Sequence, residues 1–489
     1  MCGIFIIVNK KDEIDYRPEL LQHRGPDDTK KYEIDNIHIS FHRLSINDTS
    51  DDGAQPFISE ENVLVCNGQI YNHDTISGKV KSRSDCEKLI PLFNTYGFIE
   101  GVKYIDGVFA LGYYDKTTKN LNIARDPIGV RPLFYGRYKD SIMFSSEMKG
   151  IPKEYKCYIF PPGHIYDYLT NQFHCYFPLY WSTNGLLEPY NIKSLLIEAI
   201  TKRVTNTDRQ VGFFLSGGLD SSLVASIGTK LLGKITTFSI GTERDSPDLV
   251  YARKVAKFLD TQHYEILFNP QDAFDMIPEI IKAIETSDIT TIRASTPMYI
   301  LSKWIKKNTN IKVLLSGEGS DEIFGGYLYF HKAPTLIEFH NETVRLVQNL
   351  HKYDVLRADR CTASHGLELR VPFLDLNLIN MVMSIETKYK IPIKNIEKYT
   401  LRELFNKDDW LPKEVLWRQK NAFSDAVGYN WVDYVKQKVK DIGTDEENYY
   451  KSIFMTYYEG KEHNIPEIWR PKWTDEKDPS ARNLEEFKG

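Results

Sequence analysis

The sequence predicts two joined domains: an α+β amino-terminal domain of stacked antiparallel sheets flanked by helices, then an α/β domain with a parallel sheet and a helical carboxy-terminal part. Three observations lead there. A chain of 489 residues exceeds what one hydrophobic core usually organises. Short apolar runs separated by Gly, Pro, Asn and Asp turns occupy residues 3–176. Beyond a polar, turn-rich stretch at 181–191 the pattern changes to amphipathic helices alternating with apolar strands.

In the first part, residues 2–8, 37–41, 63–66, 109–114, 121–124, 133–135 and 142–144 read as strands. One helical stretch, 85–96, breaks the series, which favours sheets flanked by helices over a plain sandwich. In the second part, 195–204 has helical period, 211–215 is a buried strand, 219–232 a helix and 235–240 a strand. Strand, loop, helix, strand is the order of a parallel sheet with right-handed crossovers. A further strand at 312–315 leads into a second Gly-rich loop, and helices dominate from 336 onward. The expected domains are 2–180 and 191–470, with a tail at 471–489.

Composition removes several function classes. Net charge is −5, and no Lys/Arg block of the kind that tracks nucleic-acid phosphates is present. The apolar start at 4–8 is too short for a signal-peptide core, and no run approaches 18 apolar residues, so a cytoplasmic protein with neither nucleic-acid nor membrane partner is expected. Six scattered cysteines, without a C-x-x-C pair, suggest neither a zinc site nor a disulfide framework.

Cys2 stands out by position. Methionine is normally trimmed before a small residue, which would put a thiol and a free α-amine on one residue. An α-amine of pKa about 7.7–8.0 is unprotonated in roughly 10–17% of molecules at pH 7, enough for a nucleophile to carry its own base. Read alone, Cys2 is merely the first residue of a strand, Arg43 a surface ion-pair partner and Asn67-Gly68 a hairpin turn.

Context separates these readings. The start Cys2-Gly3-Ile4-Phe5 resembles that of class II glutamine amidotransferases, which have the N-terminal-nucleophile fold. The resemblance continues in order through His23-Arg24-Gly25-Pro26-Asp27, Arg43-Leu44-Ser45-Ile46, Asn67-Gly68-Gln69-Ile70-Tyr71-Asn72, Ser84-Asp85-Cys86-Glu87 and Asp106-Gly107-Val108-Phe109-Ala110. It implies Cys2 as nucleophile and Asn67 with the Gly68 N–H as oxyanion hole. The implied glutamine site is Arg43 on the α-carboxylate, Asp85 on the α-ammonium, and Leu44, Ser45, Ile46, Asn47 and Gln69 around them. His23 and Arg24 are read as structural support. Gln69 departs from the family's usual glutamate, which removes a negative charge near the ammonium and predicts weaker use of glutamine relative to ammonia.

The second candidate site is a pair of loops. Strand 211–215 runs into Ser216-Gly217-Gly218-Leu219-Asp220-Ser221-Ser222, which opens a helix. Glycine N–H groups, serine hydroxyls and a helix amino terminus suit an anion, and the Walker lysine is missing. Asp220 inside a phosphate loop makes sense with Mg²⁺ between it and the phosphates. The second loop, Ser316-Gly317-Glu318-Gly319-Ser320-Asp321-Glu322, has glutamate where a dinucleotide fingerprint needs its third glycine.

The first loop is similar to the pyrophosphate loop of ATP pyrophosphatases and the second to the signature of asparagine synthetases. Carried over, the resemblance places ATP against Leu215, Ser216, Gly217, Gly218, Asp220, Ser221, Ile240, Ser316 and Gly317, with Mg²⁺ on Asp220 and Asp321. It gives Glu318 and Lys398 catalytic duties at the adenylation step, and Arg293, Asp321 and Asp375 a part in holding aspartate.

From Cys2 to Tyr429 the chain resembles glutamine-hydrolysing asparagine synthetases of the bacterial type, with Trp417-Arg418-Gln419-Lys420 and Phe423-Ser424-Asp425 in support. The implied reaction makes L-asparagine from L-aspartate with glutamine or ammonia, through β-aspartyl-AMP, releasing AMP, pyrophosphate and glutamate. Its partners are the small molecules glutamine, aspartate and ATP, with a homodimer left open. Two rivals are a β-lactam-forming relative, disfavoured by Cys2, and a non-catalytic nucleotide-binding regulator, disfavoured by the intact set Asp220, Glu318, Asp321 and Lys398.

Overall fold

The computed structural model describes residues 1–182, 187–419, 428, 431–475 and 478–479. Two six-stranded sheets build the amino-terminal domain. The first runs Lys156–Ile159, Phe134–Tyr138, Ser141–Ser145, Gly3–Val8, Ile37–Arg43, Asp28–Ile34, and the second Gln172–Cys175, His164–Asp167, Asn120–Arg125, Gly107–Asp115, Asn62–Ile70, Phe57–Ile58. All their pairings are antiparallel.

Alternation of side chains along each strand decides how the sheets stack. Ile4, Ile6 and Val8 face Val63, Val65, Ala110 and Ile123 of the second sheet, forming the layer between them. Phe5 and Ile7 point the other way, into the core shared with the second domain, so Gly3–Val8 is buried on both faces and shows no polar alternation. The outer face of the second sheet, through Leu64, Cys66, Phe109 and Leu111, is covered by helices Leu89–Tyr96 and Phe98–Lys103.

The carboxy-terminal domain carries a five-stranded, wholly parallel sheet in the order Gln262–Leu267, Thr236–Gly241, Val211–Phe214, Val313–Leu315, Glu368–Arg370. Helix Leu219–Leu232 follows the central strand, and the long helix Ile289–Asn308 precedes Val313–Leu315. Loops leaving the carboxyl ends of adjacent parallel strands face one crevice, the usual place for a ligand in such sheets. Beyond residue 470, Trp473 packs against Tyr329 and Phe330, and Lys472 pairs with Glu342 at 2.9 Å.

A buried ionic network joins the domains. Arg24, fully buried, spans Glu147 at 2.5 Å in its own domain and Asp359 at 2.8 Å in the other, and Arg360 continues to Glu285 at 3.2 Å. Burial alone would push the Glu147 carboxyl up, but Lys149, His23, Arg24 and Arg360 hold it well below its usual range. Burial likewise opposes ionisation of Asp359, and Arg24 and Arg360 prevail. Depressed folded-state values mean that this stabilisation is complete above the ordinary carboxylate range and lost as pH falls through the depressed values. Arg24→Met, which removes a cation shared by the two buried acids, is expected to cost about 3–5 kcal/mol and to lower the thermal midpoint at pH 7. Differential scanning calorimetry across pH checks this, since the deficit should shrink on acidification.

Candidate functional site

Two sites emerge, one in each domain. Pairing of Gly3 with His42 places Cys2 beside the turn that leaves Ile37–Arg43. The Leu44 N–H points at the Cys2 Sγ at 3.4 Å, the Cys2 N–H donates to Asn67 Oδ1 at 2.9 Å, and Arg24 Nε donates to the Cys2 carbonyl at 2.9 Å. Asn67 is 1% exposed, yet its Nδ2 has no hydrogen-bond partner among the described residues. A buried, unspent donor on the side chain that anchors the thiol-bearing residue is what an oxyanion site requires. Gly68 pairs with Phe109, and a Cβ there would lie 2.4 Å from the Val108 carbonyl oxygen, so no larger residue fits. Burial pushes the Cys2 thiol up, so a base must take its proton at neutral pH.

Around this centre Arg43 is buried, its guanidinium donating to Ser50 O at 2.8 Å and to Asp48 O. Among the described residues its guanidinium thus meets backbone carbonyls and no carboxylate. Leu44, Ser45 and Ile46 are buried in the following turn, with the Ser45 N–H donating to Asp27 at 2.8 Å. Asn47 Nδ2 donates to Gln69 Oε1 at 3.3 Å, and Asp85, 2% exposed, accepts from the Ile70 N–H at 2.7 Å. Gln69 Nε2 reaches Glu368 of the other domain at 3.4 Å.

In the second domain the crevice is a cavity of about 250 Å³. Its walls include Leu215, Ser216, Gly218, Asp220, Ser221, Ile240, Ser316, Gly317, Glu318, Asp321 and Lys398 of the residues expected from sequence. Gly217 lies behind the wall. Its φ of +71° and the 2.4 Å that would separate a Cβ from the Ala252 nitrogen demand glycine, which lets the loop turn into the helix. Lys398 ties the two loops together: its Nζ lies 2.7 Å from Asp220 and 2.7 Å from Asp321, and 3.2 Å from Ser320 Oγ, which itself donates to Asp220 at 2.7 Å. Glu318 is met by Arg357 at 2.8 Å.

Two carboxylates converging on one cation at the mouth of two phosphate-type loops suit Mg²⁺, which commonly takes one or two protein carboxylates and completes its shell with water and substrate phosphates. Among the described residues no group of three or more metal-type side chains converges.

Family comparison agrees with this geometry. A glutamine amidotransferase domain model matches residues 1–175, and the asparagine synthase model matches 191–338 and 335–476. A glutamine-hydrolysing asparagine synthetase of Bos taurus is 38% identical over all of this chain and 99% of its own. One from Oryza sativa subsp. japonica is 39% identical over 99% of this chain and 92% of its own. This chain belongs to the glutamine-hydrolysing asparagine synthetase family. It is therefore an enzyme, a glutamine-dependent ligase, and no helix among its described residues is long and apolar enough to cross a membrane.

Within this synthetase two expected aspartate-site residues do not line the cavity. Arg293 points to the helical carboxy-terminal part, with Nε 3.0 Å from Glu446 and Nη1 2.9 Å from Asp478. Asp375 caps helix Leu376–Ser384 through the Asn377 N–H and pairs with Lys202 at 2.8 Å and Arg203 at 2.9 Å. A motif match gives a position along the chain; helix geometry and the nearest opposite charge decide which way the side chain faces. Lys420 and the 423–425 string lie outside the described residues.

The cavity also holds residues to which the sequence reading gave no role. Arg357 braces Glu318, and Glu322 is buried beside Asp354 and Asp321, accepting from the Tyr327 hydroxyl at 2.5 Å. Burial, then those two acids, push the Glu322 carboxyl well up. Arg418 donates to the Gly217 carbonyl at 3.2 Å, bracing the first loop. Arg357 has no local motif; the signal available for Glu322 was a third acid in a loop already assigned to phosphate.

Proposed function

We propose that this enzyme makes L-asparagine from L-aspartate and ATP through β-aspartyl-AMP, using ammonia released from glutamine at Cys2. The observation that carries the reading is Lys398 bridging Asp220 and Asp321, since it sets one cation and two carboxylates between two phosphate-type loops. An ATP triphosphate would displace that salt bridge and leave Lys398 beside the α-phosphate, where charge develops. Asp220 and Asp321 would hold Mg²⁺, which when bound with ATP neutralises the pyrophosphate leaving group. Glu318, fixed by Arg357, lies at the same cavity wall, where the acyl group forms.

At the first site, removal of Met1 would make the Cys2 nitrogen an amine able to take the thiol proton, which the buried thiol needs. Asn67 Nδ2 would receive the developing oxyanion, and Arg43 and Asp85 the two charged ends of glutamine. Met1 itself is buried, its sulfur against Arg131, which reaches Leu369 O at 3.4 Å and Glu368 at 3.5 Å. The next strand, Val313–Leu315, opens into the Ser316 loop. This seam is the route proposed for ammonia, because a buried passage keeps water from the adenylate.

The test follows one oxygen. Attack of the aspartate β-carboxylate on the α-phosphorus expels pyrophosphate, and ammonia then expels AMP, which keeps the attacking oxygen. Aspartate labelled with ¹⁸O in the β-carboxylate should therefore give AMP carrying one ¹⁸O. Unlabelled AMP, or ADP as product, would sink the adenylate mechanism.

A further inference from the structure

The carboxy-terminal domain places a side chain of its own in the glutamine site. Asn206 follows helix Ile192–Thr205, and its Nδ2 donates to Gln69 Oε1 at 3.2 Å and to Asp85 Oδ2 at 3.4 Å. Its Oδ1 accepts from Asn47 Nδ2 at 2.9 Å. Gln69 and Asp85 thus converge on one nitrogen donor. A point where a buried carboxylate and an amide oxygen meet a single nitrogen is also where an α-ammonium would be held, with the ammonium bringing a full charge to the carboxylate where the amide brings only a dipole. The two bonds that Asn206 donates are long, hence weak and replaceable, and the one bond of ordinary length that the exchange breaks is that from Asn47.

Space for the exchange lies alongside. A cavity of about 340 Å³ at the domain seam is lined by Asn47 and Asn206, together with Tyr71, Arg83, Lys202 and Asp208. The backbone of Asn206, in contrast, is fixed. Its carbonyl accepts from Arg370 Nη1 at 2.9 Å, and that same guanidinium nitrogen donates to the Arg203 carbonyl at 2.7 Å. A swing of the side chain therefore needs no movement of the chain. Arg370 in turn ends the strand whose carbonyl receives the Ser316 N–H at 3.1 Å, so the anchor of Asn206 abuts the second loop of the ATP cavity.

We propose that Asn206 is a latch: its carboxamide occupies the α-ammonium subsite while glutamine is absent, and glutamine binds by expelling it into the seam cavity. The second domain thereby restrains glutamine hydrolysis. This rests on the assignment of the Cys2 site to glutamine. As a neutral side chain competing with the substrate, Asn206 raises KM without touching the chemistry.

The test is Asn206→Ala, with glutamate release from glutamine measured in the absence of ATP and aspartate, and ammonium-driven asparagine synthesis as the control for folding. Removing the competitor, with its two long donated bonds and the bond it accepts from Asn47, should lower KM for glutamine about three- to tenfold, with kcat unchanged. Asn206→Asp, which cannot donate to Asp85 and adds attraction for the ammonium, should lower KM at least as far. An unchanged or raised KM in both variants, with ammonium-driven synthesis intact, overturns the latch. Failure of the underlying assignment would look different, because wild-type glutamine hydrolysis would then survive Cys2→Ala.

Discussion

Cys2→Ala should abolish glutamine-driven asparagine synthesis and leave ammonium-driven synthesis at its wild-type rate. Loss of a nucleophile acts on the order of 10⁴- to 10⁶-fold, because what remains is only binding and the oxyanion donors. The thiol is 3.4 Å from the Leu44 N–H and sits beside the unspent Asn67 amide. Cys66 and Cys86 are buried in the layer under helix Leu89–Tyr96 and cannot substitute. The ATP cavity shares no wall residue with the Cys2 cluster, and separate sites without shared partners behave additively, so the ammonium reaction should change by less than about twofold. Parallel assays of glutamate, asparagine and AMP with each nitrogen donor check this. If the two activities fall together, Cys2 serves the fold and the hydrolytic nucleophile lies elsewhere.

Much of this was legible in the sequence, and the exceptions have physical causes. Gly3–Val8 and Val211–Phe214 announce themselves because both faces are buried and the runs are apolar throughout. Asp28–Ile34 was missed because it is a sheet edge, largely exposed, reading Asp-Thr-Lys-Lys-Tyr-Glu-Ile, with the charges that keep edges from pairing with other chains. Glu368–Arg370 escaped for the opposite reason. It is a fully buried strand whose charges pair with each other at 2.8 Å, so neither apolar content nor alternation marks it. The phosphate-type loops were readable because backbone geometry restricts them to few residues. Gln69 was expected only as a lost charge; its contact with Glu368, and that of Asn206 with Asp85, join residues far apart in the chain and depend on how the domains dock.

Lys398→Ala should show the reverse pattern of Cys2→Ala, with synthesis lost from either donor and glutamine hydrolysis retained. Removing one preorganised donor of transition-state charge costs about 2.7–4 kcal/mol, or on the order of 10²–10³-fold in kcat. Here the loss is compounded, because Asp220 and Asp321 would face a polyanionic substrate without the cation that lies 2.7 Å from each. Lys398→Arg should not rescue. A Cβ on Gly326 would fall 2.0 Å from Lys398 Cε, so that glycine is present to admit the slim aliphatic stem, and a planar guanidinium is wider. Lys398 also holds φ +54°, a backbone state fixed by its surroundings and not chosen by its side chain, so both variants should retain the loop path. Single-turnover measurement of pyrophosphate release from ATP and aspartate separates the possible causes: a slowed burst places Lys398 in adenylate formation, whereas a normal burst with slow asparagine release would remove it from that step.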